Sequence, residues 1–215
     1  MFKAVCFDFD YTLGDCTDSI LAGFEHGLTG LGWPAPEREA VRSTIGYLLE
    51  DAYSMLTGDH DPAHQAQFRL LFSEVAVERQ RQETVLFPGA DELLRGLKRA
   101  GVKTAIVSTK RGDTIEIILE RLGLADTVEL VIGSADVKRH KPDPEGVLAA
   151  LDRLGVHPED TLFCGDTVLD AGAAQNAGTH FAAVLNGITP AQDFEDFPCD
   201  HISPDLWDLA KWLGI

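Results

Sequence analysis

Asp8 and Asp10, in the run Asp8-Phe9-Asp10-Tyr11-Thr12-Leu13, close an apolar stretch over residues 4–9. Residues two apart on a strand share a face, so both carboxylates leave the strand on one side, at its exit. Holding charges against apolar chain is costly unless they are paired or bind a cation. An Asp-x-Asp at this place therefore points to a cation site that does chemistry; the alternative is a solvated turn that carries two aspartates. Three more polar signatures follow: Ser108-Thr109-Lys110, Lys141-Pro142-Asp143-Pro144, and Gly165-Asp166-Thr167-Val168-Leu169-Asp170. Each is weak alone. Each also falls where a strand would end or a helix begin, and in an open α/β sheet such ends converge on one crevice.

The elements that must position these groups are legible as alternation. Short β-rich runs cover residues 103–108, 128–133, 161–165 and 180–185, and a first strand covers residues 3–9. Between the later runs lie helical faces made of Leu93, Leu94 and Leu97, of Ile115, Ile118, Leu119 and Leu122, and of Val147, Leu148, Leu151 and Leu154. Gly101, Gly123 and Gly155 follow these faces as helix stops. Strand and helix in turn predict an α/β fold, a doubly wound parallel sheet covered on both faces. Residues 16–87 break the alternation. They carry helical patches at 20–31, 38–56 and 63–82 with no β-rich run, and the chain returns at Phe87-Pro88-Gly89. We expect a core of residues 1–15 and 88–215 and an inserted all-helical subdomain of residues 16–87. A lid over the carboxyl ends of the strands is its natural place; the alternative is helices that thicken the core.

With 215 residues, 45% of them apolar, the chain is long enough to bury a substantial core. Its formal charge of −17 repels polyanions, which argues against nucleic acid and anionic membrane as partners. No segment reaches membrane-spanning length, and acid arrives too early in Met1-Phe2-Lys3-Ala4-Val5-Cys6-Phe7-Asp8 for an export leader, so a cytoplasmic location is expected. Cys6, Cys16, Cys164 and Cys199 lack any C-x-x-C spacing and predict free thiols. His60 and His64 have the spacing of a zinc pair, but Pro62 between them argues for a loop.

In their order and spacing, with the helical insertion after the first, the four signatures resemble those of the haloacid dehalogenase (HAD) superfamily, in the branch with a helical C1-type cap. The resemblance runs along the whole chain. It implies a Rossmann-like core, with Asp8 as the nucleophile that forms an aspartyl-phosphate and Asp10 as the acid for the leaving group and the base for water. It implies Mg2+ held by Asp8, the Asp10 backbone carbonyl and Asp166, with Asp170 in support. Ser108 would bind the transferred phosphoryl group, with Thr109 beside it, and Lys141 would neutralise its charge. Lys110 and Arg111 receive no assignment. Cap movement about hinges near residues 14–18 and 83–88 is also implied.

Single positions separate the branches of the family. Dehalogenases carry a non-acidic residue where Asp10 stands, and both phosphonatases and phosphoglucomutase-like enzymes need a cap lysine, whereas residues 16–87 contain none. Thr12 agrees with a phosphatase. The remaining likeness is to phosphoglycolate phosphatases, through Asp15, Val41-Arg42-x3-Gly46 and Phe87-Pro88-Gly89. Tyr11 stands where that branch usually has glycine, and Cys16 where it has serine, so specificity can differ. Arg42, and less directly Arg38, could take a substrate carboxylate. The expected substrate is thus a small phosphorylated metabolite, first 2-phosphoglycolate, with pyrophosphate, sugar phosphates and nucleotides as alternatives. A non-catalytic module that binds a phosphometabolite and a receiver-like phosphoacceptor are the competing classes. The oligomeric state is left open by the sequence.

Overall fold

The computed structural model describes residues 2–215, which form two compact units. One comprises the chain through Asp15 together with Leu86–Ile215, and the other is Cys16–Val85. The first is built on a six-stranded parallel sheet. Its strands are β1 (Ala4–Phe7), β4 (Lys103–Val107), β5 (Leu130–Ile132), β6 (Thr161–Gly165), β7 (His180–Val184) and β8 (His201–Ser203), in the order β5-β4-β1-β6-β7-β8. Two strands of two residues each, β2 (Gly14–Asp15) and β3 (Val85–Leu86), lie at the ends of the insertion.

Every residue of β1 is buried, as a run of Ala, Val, Cys and Phe with no polar member requires of a strand covered on both faces. The register places Phe7 opposite Ile106 on one side and Cys164 on the other, so the exits of β4, β1 and β6 lie side by side. The strand order reverses at β1, which is where an open α/β sheet leaves a crevice. Helices α5 (Ala90–Arg99), α6 (Gly112–Arg121), α7 (Glu145–Leu154), α8 (Val168–Ala177) and α9 (Leu206–Leu213) complete the unit. Leu93, Leu94 and Leu97, and likewise Ile115, Ile118 and Leu119, are buried as their spacing predicts. On α7 the expected face is rotated. Leu148 is 42% exposed and Ala150 takes its place beside Val147, Leu151 and Leu154, because one more residue of turn carries position 148 off the buried stripe. Strand β8 escapes the sequence reading because it is only three residues long, of which Ser203 alone is buried.

The second unit holds four helices, α1 (Thr17–Gly30), α2 (Arg38–Arg42), α3 (Leu49–Thr57) and α4 (Pro62–Glu83). Residues 38–56, read as one helical patch, divide into α2 and α3 around Gly46, whose φ of +102° no helix accommodates. Helices α1 and α4 approach closely because Gly23 and Gly27 present no side chain: a Cβ on Gly27 would lie 2.7 Å from the Phe68 ring. Phe24 packs on Phe68 and Phe72 at ring distances of 5.2 and 5.4 Å, and Tyr53 on Phe68 at 5.2 Å. Asp61 caps α4 by accepting from the Ala63 N–H at 2.8 Å, with Pro62 in the first turn. The His64 Nδ1 lies 2.6 Å from Asp59, an ion-pair partner rather than a second histidine. Among the described residues no helix is long and apolar enough to cross a membrane.

Candidate active site

The exits of β1, β4 and β6 carry the first, second and fourth sequence signatures. Asp8 extends β1 by one residue, its N–H donating to the Cys164 carbonyl at 2.9 Å, and its side chain is 1% exposed. Its Oδ1 accepts from the Phe9 N–H at 2.7 Å and its Oδ2 lies 2.8 Å from Lys141 Nζ. The loop beyond is folded tightly on itself. The Phe9 carbonyl accepts from the N–H groups of Leu13 and Gly14, both at 2.9 Å, and Tyr11 takes a φ of +60°. That left-handed conformation explains why a glycine suits the position, and it costs a tyrosine roughly 1–2 kcal/mol. The Tyr11 side chain is buried, its ring 6.4 Å from Phe87.

Lys141 precedes α7 and is buried, with its ammonium between Asp8 Oδ2 and Asp170 Oδ1 and 5.8 Å from the centre of the Phe163 ring. Burial alone would lower the pKa of this ammonium; the Asp170 and Asp8 carboxylates overcome that and raise it, so it stays charged. Asp170 sits in the first turn of α8 in a capping box with Thr167, whose N–H and hydroxyl both donate to Asp170 Oδ2. Asp166 follows Gly165 at the exit of β6, its Oδ1 accepting from Thr12 Oγ1 at 2.9 Å. Two glycines make room: a Cβ on Gly165 would stand 2.3 Å from Asp170 Cγ, and one on Gly187 would stand 2.2 Å from Asp166 Oδ2. The Asn186 side chain donates to the Thr12 carbonyl at 3.0 Å and so ties the β7 exit to the aspartate loop.

Oxygen atoms of Asp8, Asp166 and Asp170 lie within 4.8 Å of one another, all three residues buried. Burial, then Asp170, then Asp8 raise the Asp166 pKa well above the ordinary carboxylate value, and burial raises that of Asp170 despite the Lys141 ammonium beside it. Three buried carboxylates against the Lys141 ammonium leave an excess of negative charge that a hard cation would relieve. An all-oxygen donor set suits Mg2+, Mn2+ or Ca2+.

At the β4 exit, Ser108 is buried, its N–H on the Ile132 carbonyl at 3.0 Å, and Thr109 is half-buried. Lys110 is the residue that spacing did not single out. It is buried, and its Nζ lies 2.9 Å from Asp10 Oδ2. Its place inside the second signature was the available clue, but a lysine three residues past a strand points inward or outward with equal ease on pattern alone. Thr12, Asn186 and Gly187 were also missed as supports, since only the folded chain brings β7 to the β1 loop. Arg42 belongs to the other unit, where its Nη1 lies 3.1 Å from both Glu39 carboxylate oxygens. Arg38 pairs there with Asp18 at 3.2 Å.

Comparison with known proteins agrees with this geometry. The model of the family described as haloacid dehalogenase-like hydrolase matches residues 5–184. The pyrophosphatase PpaX of Bacillus velezensis is 32% identical over 212 residues, covering 99% of this chain and 96% of its own. The phosphoglycolate phosphatase of Nitrosospira multiformis is 31% identical over 217 residues, covering 98% and 95%. A crystal structure from Bacteroides fragilis, of a protein classed with the haloacid dehalogenase-like hydrolases, superimposes with a TM-score of 0.94 at 38% identity, over 97% of this chain and 100% of that one.

Proposed function

Since this chain belongs to the haloacid dehalogenase-like hydrolases, we propose that it is a divalent-cation-dependent phosphatase that works through an aspartyl-phosphate on Asp8. The observation that carries the reading is the buried group of Asp8, Asp166 and Asp170 around the Lys141 ammonium. An isolated structural ion pair needs one carboxylate; three of them around one ammonium leave negative charge that a bound cation would offset.

In the first step an Asp8 carboxylate oxygen attacks phosphorus, the bond from phosphorus to the leaving oxygen breaks, and protonated Asp10 gives its proton to that oxygen. In the second, Asp10 takes a proton from water, the water oxygen bonds to phosphorus, and inorganic phosphate leaves as the Asp8 carboxylate is restored. Ser108 and the backbone at Thr109 hold the non-bridging oxygens, and Lys141 offsets charge on them and on Asp8. Mg2+, held by Asp8, the Asp10 carbonyl and Asp166 with Asp170 in support, would neutralise the phosphoryl charge.

The Cys16–Val85 unit acts as a cap that selects the leaving group. The substrate is a small metabolite in which the phosphoryl group is joined to a second compact anion, and 2-phosphoglycolate is the first reading. Pyrophosphate is the second, favoured by the pyrophosphatase relative. Phosphate release from 2-phosphoglycolate, pyrophosphate, sugar phosphates and nucleotides, with Mg2+ or with chelator and with Asp8→Ala as the blank, tests this. Cation-dependent release that vanishes in the blank supports the mechanism, and the preferred compound decides the substrate. Release that survives Asp8→Ala, or none from any compound, overturns it.

A further inference from the structure

We propose that Lys110 is a positioning residue for Asp10, holding one carboxylate oxygen so that the other faces the proton transfers. This rests on the acid–base reading of Asp10 above. The Lys110 Nζ lies 2.9 Å from Asp10 Oδ2, with the two side chains only 5% and 13% exposed. Asp10 Oδ1, by contrast, is buried and has no hydrogen-bond partner among the described residues. A buried carboxylate oxygen left without a donor is expensive, and such atoms mark places where a reacting group supplies the missing bond. The pair thus divides the labour of one carboxylate: Oδ2 is anchored and Oδ1 is offered.

The anchor itself is held from three directions. The Lys110 N–H donates to Ser108 Oγ at 3.3 Å, its carbonyl accepts from the Ser134 N–H at 3.0 Å, and the Ser108 N–H donates to the Ile132 carbonyl at 3.0 Å. The β5 exit presses on this loop so closely that a Cβ on Gly133 would stand 2.2 Å from the Gly112 nitrogen and 3.0 Å from the Lys110 carbonyl. A lysine side chain ordinarily forfeits much rotamer freedom on forming an ion pair; a fixed backbone and a buried path reduce what remains to be lost. Lys141 serves Asp8 in the same unit by a similar contact, so each aspartate of the Asp-x-Asp has its own buried ammonium. The two lysines differ in consequence: Lys141 touches the nucleophile, whereas Lys110 acts through Asp10.

Lys110→Met is compared with wild type and with Asp10→Asn on phosphate esters of graded leaving-group acidity, from alkyl to nitrophenyl, with rapid-quench separation of phosphoenzyme formation from its hydrolysis. Loss of a positioned acid matters when the leaving oxygen needs a proton. We expect Lys110→Met to slow phosphoenzyme formation on the order of 10²-fold for alkyl esters and little for nitrophenyl phosphate. Hydrolysis of the phosphoenzyme should slow for every ester, giving a burst of nitrophenol. Added to Asp10→Asn, Lys110→Met should cost less than threefold more, because both act through one carboxylate. A loss that is equal for all esters, confined to KM, or fully additive with Asp10→Asn would overturn the role of Lys110 while leaving the Asp8 chemistry intact. Absence of phosphoenzyme in the wild type itself would overturn both.

Discussion

Asp166 shows at the scale of one residue how the site is tensioned. Its carboxyl is held above the ordinary range by burial, by Asp170 and by Asp8. A carboxyl whose folded pKa exceeds its unfolded value favours the fold most when protonated. The metal-free protein should therefore lose stability as pH rises from about 4 through the folded pKa of this group. A dication held by the Asp8, Asp166 and Asp170 cluster would remove that penalty. Thermal unfolding should show Mg2+ raising Tm more at pH 8 than at pH 5, and Asp166→Asn should raise the metal-free Tm by about 2–4 °C for each kcal/mol of relieved repulsion while abolishing the Mg2+ response. An Asp166→Asn protein that still responds to Mg2+ as wild type does would remove Asp166 from the cation site. Tyr11 yields a second expectation. Tyr11→Gly relieves a φ of +60° but opens space beside Phe87, so its ratio of activity on 2-phosphoglycolate to that on pyrophosphate should shift by more than its Tm does. The residues that the structure gathers, Asp8, Asp10, Ser108, Lys141, Asp166 and Asp170, were legible because their four signatures fall at strand and helix ends that converge in an α/β sheet and because the order of those signatures resembles the family's. Lys110 and Asn186 were not, because local spacing does not say which way a loop side chain turns.

Elements hold these groups by close approach, and glycine is where the approach is tightest. Gly165→Ala would drive a methyl group into Asp170, and the α8 capping box together with the Lys141 contact would shift with it. We expect at least a tenfold loss of activity with a stability loss of about 1–3 kcal/mol by denaturant unfolding. Gly27→Ala in the helical unit meets Phe68 at a similar separation and should cost about 1–3 kcal/mol as well. Its effect on phosphoenzyme formation, once folded, should be small, because no residue of the proposed chemistry lies in α1 or α4. Equal losses of chemistry in the two variants would contradict the division of labour between the units. The same scale explains where the sequence misled. A helical period runs through residues 38–56 without a break in apolar spacing, but α2 stops at Arg42 and Gly46, at positive φ, keeps the chain out of helix until α3 begins. Strand β8 has too few residues to show a period at all, and Leu148 was assigned to a face one residue too wide.

Over the whole molecule, a chain of net charge −17 places two buried ammonium groups, Lys110 and Lys141, at one strand crevice. Ammonium groups set among buried carboxylates suit a small anion escorted by a cation, and the negative charge of the whole chain discourages a polyanion. Heparin at low salt should leave phosphate release unchanged where it would compete with a basic groove. In the proposed account the parallel sheet supplies the crevice, the helical unit supplies choice among leaving groups, and the chemistry belongs to Asp8. That last statement is tested most directly by mixing the enzyme and Mg2+ with radiolabelled pyrophosphate and 2-phosphoglycolate, quenching in acid within milliseconds, and mapping the label. We predict an acid-stable, hydroxylamine-labile phosphoryl group on the peptide containing Asp8, absent in Asp8→Asn and without Mg2+. Phosphate release with no label on that peptide, or with undiminished label in Asp8→Asn, would contradict the account.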